Sequence, residues 1–64
     1  MEFLGEPVTQ VGNNGKKYEY RIAIDMIDRH YYVFSVSRGK FIFGPYIHSD
    51  TARKVLTGWL ASWA

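Results

Sequence analysis

The sequence predicts a small α+β domain, an antiparallel three-stranded β-meander packed on one C-terminal α-helix (βββα). Three observations carry that prediction. Residues 17–26 alternate strictly, with Tyr18, Tyr20, Ile22, Ile24 and Met26 on one parity and Lys17, Glu19, Arg21, Ala23 and Asp25 on the other. That is the signature of a half-buried strand. Two aromatic-rich runs follow, "YYVFSVS" and "KFIFG", joined through Arg38 and Gly39. Finally, Ala52, Val55, Leu56, Trp59, Leu60 and Trp63 recur at helical spacing, one continuous apolar stripe.

Residues 1–7 are mixed, and Val8-Thr9-Gln10-Val11 suits a short fourth strand at the sheet edge. "GNNG" (12–15) is a turn, because Asn and Gly tolerate positive φ. The first main strand occupies 17–26, and the polar stretch 27–30 reverses the chain. The second strand runs over 31–37. Arg38 resists the two positive φ values of a tight type I′ hairpin, so a type I turn with a left-handed Gly39 is expected. The third strand covers 40–44 and stops at Pro45, which lacks a backbone donor. Ser49 or Asp50 caps the helix, and Asp50 complements its dipole. The helix is expected to cover Tyr20, Ile22, Ile24, Tyr32, Phe34, Val36, Phe41 and Phe43, since sheet and stripe bury together. Lys17, Glu19, Arg21, Ala23, Asp25, Tyr31, Val33, Ser35, Ser37, Lys40 and Ile42 would then form the free face.

Bulk properties restrict the function class. At 64 residues the chain is one domain that buries only about 60% of its unfolded surface. It has no cysteine, which excludes disulfide staples and thiolate zinc sites and fits a cytoplasmic location. There is no charged-then-apolar leader and no run of roughly 18 apolar residues, so neither a signal peptide nor a membrane span is expected. The formal charge is +2 and the pI about 9.1, mildly basic. No phosphate-binding glycine loop and no nucleophile–His arrangement is present, and the chain is short for a deep pocket. Asp25, Asp28 and His30, and His48 with Asp50, are close in sequence, but turn and cap roles account for the carboxylates without a metal. The expectation is therefore a non-enzymatic module with no metal, no cofactor and no small-molecule substrate.

Two binding hypotheses follow. In the first, the free sheet face contacts DNA, whose major groove admits a β-ribbon. Arg21 and Lys40 suit guanine edges or phosphates, and Tyr31 and Ser35 suit phosphate oxygens. Arg29, Arg38 and Lys17, with Lys16, would clamp the backbone. In the second, the domain binds a protein or a second copy of itself. It would use Tyr31, Val33 and Ile42 at the centre of that face, or the helix side bearing Thr57, Gly58 and Ala61, whose small residues allow close approach.

The stretch "KFIFGPYIHSDTARKVL" (40–56) resembles the AP2-type fold, including the arm-binding domains of phage tyrosine recombinases. The shared features are a strand ending in Gly44, an aromatic–proline pair, a cap residue, and Ala52-Arg53 in the first helical turns. The resemblance covers about a quarter of the chain. It implies a DNA-reading sheet backed by a helix, and a phage or mobile-element origin. "RGKFIFGPY" is also similar to the first ribonucleoprotein motif of RNA-recognition domains. However, Lys40 stands where an aromatic belongs and Phe41 where a small residue belongs, and the chain is short for the four-stranded fold that motif needs, so this second reading is rejected.

Overall fold

The computed structural model describes residues 1–62. The stripe residue Trp63 lies outside them. Four strands, β1 (Glu2–Val11), β2 (Lys17–Ile24), β3 (Tyr31–Ser35) and β4 (Lys40–Tyr46), precede one helix, α1 (Ser49–Ala61). They form a single antiparallel sheet in the order β1-β2-β3-β4. The fold class is the predicted one, with the edge strand realised as a full-length β1.

The core lies between the helix and one sheet face. Tyr20, Ile22, Val33, Ala52, Leu56 and Leu60 are buried together, with Leu4, Val8, Tyr31, Ile42, Phe43, Tyr46 and Trp59 packed around them. Burying each large apolar side chain stabilises by roughly 1.5–3 kcal/mol. Trp59 meets Tyr20 and Phe43 edge-on, with ring centroids 5.5 and 5.3 Å apart, the arrangement that ring quadrupoles favour. These ring contacts consolidate a small core in a chain that has no cysteine.

The expected face assignment is correct for β2 and reversed for β3. Antiparallel partners share a face, and the ladder sets Tyr20 opposite Ser35 and Ile22 opposite Val33. Once Tyr20 and Ile22 face the helix, Tyr31, Val33 and Ser35 must as well. Tyr32, Phe34 and Val36 therefore leave the predicted core. Both parities of "YYVFS" carry large side chains, so periodicity fixes the strand and not its phase.

In β4 the register shifts between Val33 and Phe34: Phe43 pairs with Val33 while Phe41 pairs with Phe34. Ile42 is the extra residue of this bulge, so Ile42 and Phe43 both reach the core. Phe41 is carried to the opposite face, against Phe34.

Other boundaries move for local reasons. β2 ends two residues early because Asp25 begins the turn: its carboxylate accepts the Ile27 N–H (2.9 Å), and its carbonyl accepts that of Arg29 (2.7 Å). β3 ends at Ser35, where the 36–39 turn begins, and Gly39 takes the expected left-handed conformation, φ +68°. β4 continues through Pro45, across a cis Gly44–Pro45 bond. An edge strand allows this, because a missing N–H can face away from the ladder. The helix N-cap is His48, in extended conformation and without a side-chain cap bond. Ser49 and Asp50 are already helical, so neither caps it as expected.

Candidate nucleic-acid interface

The strand register gathers four of the cationic side chains at one end of the sheet. The β1–β2 turn closes on the Val11–Lys17 pair, and the β3–β4 turn on Ser35–Lys40. These two turns are neighbours: Val36 N–H donates to the Glu19 carbonyl and Glu19 N–H to Ser37 Oγ, at 2.9 and 3.0 Å. Gly12, Asn13, Asn14, Tyr18 and Arg38 line a common depression of about 290 Å³. Lys16, Lys17, Arg38 and Lys40 all lie at this end, four of the chain's eight lysines and arginines. Glu19 is the acid beside them.

Most carboxylates are elsewhere. Glu2 pairs with Ile24 at the far end of the sheet. Asp25 and Asp28 lie in the loop between β2 and β3, and Asp50 in the first turn of α1. In that loop Asp28 accepts bonds from the His30 backbone N–H (2.8 Å) and the Tyr32 hydroxyl (3.0 Å). The His30 bond first, then the Tyr32 bond and the His30 ring, hold the Asp28 carboxyl below its usual range, and the same carboxylate raises the Tyr32 hydroxyl. These carboxylates serve the loop's own turns. Among the described residues no three metal-ligating side chains gather.

A second cavity, of about 340 Å³, opens beside the basic end on the helix side of the sheet. Tyr20, Phe43 and Trp59 wall it, Ser35 lies deep in it, and Arg38, Lys40, Phe41 and Ile42 complete the lining. Burial raises the Tyr20 hydroxyl above its ordinary value, and the charge of Arg38 opposes that rise.

The predicted DNA-contacting residues are thereby divided. Lys17, Arg38 and Lys40 are brought to the same end of the sheet, Lys17 with the free-face parity of β2 and Lys40 on the helix side. Arg21 is on the free face but already engaged: its guanidinium lies 5.1 Å from the centre of the Phe3 ring and donates to the Gly5 carbonyl at 3.4 Å. Its Nε is buried with no hydrogen-bond partner among the described residues. Arg29 is in the far loop with φ +59°. Tyr31 is packed against the core and Ser35 is 1% exposed; the Ser35 hydroxyl accepts the Arg38 N–H at 3.2 Å, so it shapes the turn instead of meeting a phosphate. Lys40 points to the helix side, as its partner Ser35 does.

The predicted protein-contacting residues divide too. Tyr31, Val33 and Ile42 belong to the core, whereas Thr57, Gly58 and Ala61 are exposed on α1 as expected. The free sheet face instead carries an aromatic row, of which Tyr32, Phe34 and Phe41 were expected in the core. Phe3, Phe34, Phe41 and Tyr32 stand in succession with centroids 5.4, 4.9 and 5.6 Å apart, and Phe3 and Phe41 are 46% and 45% exposed. Ala23, paired with both Phe3 and Tyr32, is buried among them. The N-terminal segment therefore extends the free face and does not cover it. The signal for this row was the large side chains on both parities of 31–35.

Among the described residues no helix is long and apolar enough to cross a membrane. In comparisons with protein-family models, curated proteins and solved structures, nothing matches this chain.

Proposed function

We propose that the domain is a non-enzymatic nucleic-acid-binding module that grips the phosphate backbone with its basic hairpin end. The convergence of Lys16, Lys17, Arg38 and Lys40 on two adjoining turns carries this reading. Such clustering, more than net charge, is the footprint of a polyanion site. The AP2-type resemblance belongs with the same reading, although the contact surface moves from the sheet face to the sheet end. A cytoplasmic location and a phage or mobile-element source are in keeping with it. The test is an amide NMR titration with a short mixed-sequence oligonucleotide at low salt. Shifts concentrated at 12–19 and 36–41 are expected. Shifts centred on the 25–30 loop, or an unchanged spectrum, would contradict the reading.

The aromatic row favours one further reading, a protein-binding module or homodimer that buries Phe3, Phe34 and Phe41. Contiguous exposed apolar surface of this kind marks interaction sites. Sedimentation analysis across a concentration series tests the dimer. Association that persists at high salt and is lost in a Phe3→Ser/Phe41→Ser variant is the result it requires.

A further inference from the structure

The cavity beside the basic end has a composition that phosphate clamping alone does not require. Its walls are aromatic, Phe43 and Trp59 with Tyr20 behind them, while Arg38 and Lys40 complete the same lining. At about 340 Å³ it falls at the small end of ligand sites, which run from about 300 to 1,000 Å³. Phosphate-binding cations and base-binding rings therefore lie within one nucleotide's reach of each other.

We propose that this cavity receives a single unpaired base, so that the domain prefers single-stranded nucleic acid, or a strand end, to intact duplex. The inference rests on the nucleic-acid reading above. A phosphate at Arg38 and Lys40 places the attached sugar and base at the cavity, whose wall includes the rings of Phe43 and Trp59. Base–aromatic stacking tolerates any sequence because every base has a π face. A base held in a duplex is already stacked and paired, and cannot enter without being extruded.

The test compares three labelled ligands of equal phosphate number by fluorescence anisotropy at fixed salt: an oligothymidylate 12-mer, a fully abasic 12-mer, and a blunt hairpin duplex. The oligothymidylate is expected to bind at least about tenfold more tightly than either of the others, the scale of one stacked base. A Phe43→Leu variant, which keeps the core filled, is expected to lose that margin while its abasic and duplex affinities stay unchanged. The abasic ligand makes the same comparison without altering the protein. Equal affinity for all three ligands, lost on Arg38→Glu/Lys40→Glu, overturns the base pocket and leaves the phosphate clamp standing. Binding to none of the three overturns both.

Discussion

Val33 and Gly44 illustrate what single positions contribute. Val33 is fully buried between the helix and the sheet, so Val33→Asp places an unpaired charge in the core. Such a change costs at least about 3 kcal/mol, and the variant is expected to be unfolded by circular dichroism. It is thus a test of folding, not of a surface contact as the predicted face would have made it. Gly44 has φ +125°, and a Cβ there would lie 2.6 Å from Tyr32 Cδ1 and 3.0 Å from the Tyr31 carbonyl oxygen. Gly44→Ala is expected to lose about 2 kcal/mol in urea unfolding, from backbone strain and the contact together. Gly58 is the opposite case: it has ordinary helical φ and nothing within 4 Å of an added Cβ. Gly58→Ala should gain about 0.5–1 kcal/mol. No gain would show that the missing Cβ has a structural use. Asp28 sets a pH dependence. Because its folded-state pKa is depressed, chiefly by the His30 N–H, its contribution to stability is present above the unfolded-state value and lost as pH falls through the folded one. Asp28→Asn should therefore flatten the acid limb of the stability–pH profile. Tyr32→Phe, which removes one of its bonds, should raise the Asp28 carboxyl partway in an NMR titration.

The elements show how far a sequence pattern reaches. β2 and α1 were legible because each has one apolar and one polar parity or stripe. Their helix-facing buried residues, Tyr20, Ile22, Ala52, Leu56 and Leu60, were anticipated, whereas the burial of Ala23 under the aromatic rings of the other face was not. β3 was legible as a strand, but its phase depends on a register set by the 25–30 loop and the ladder to β2. No local pattern encodes that register when both parities are apolar. β4 adds a bulge at Ile42, which reverses parity inside one strand and carries Phe41 and Phe43 to opposite faces. β1 was underestimated because Gly5 and Pro7 interrupt its pattern. In the structure the β1–β2 pairing shifts register between Leu4 and Val8, and the strand resumes. The bulge and the edge strand are both settled by pairing, which composition does not reveal.

At the scale of the whole molecule, charge separation is the organising fact. The molecule measures 37 × 20 × 17 Å, and its length matches the ten-residue β1, about 33 Å at 3.3 Å per residue. Charges at the two ends are therefore separated by more than the screening length of about 10 Å at 0.1 M salt. Glu2, Asp25, Asp28 and Asp50 accordingly do little to offset Lys16, Lys17, Arg38 and Lys40. A net charge of only +2 conceals this pole. Its four members are visible in the sequence as Lys16-Lys17 and Arg38-Gly39-Lys40, but their placement at one end follows only from the meander. The claim that these four cations bind phosphates is tested most directly by the salt dependence of affinity for a short duplex. Four phosphate contacts predict a log–log slope of about −3.6, a loss of roughly a hundredfold between 50 and 200 mM salt. Arg38→Glu/Lys40→Glu should reduce that slope by about two and weaken binding at every salt concentration. A flat salt response, or a double variant that binds as the parent does, would contradict the account.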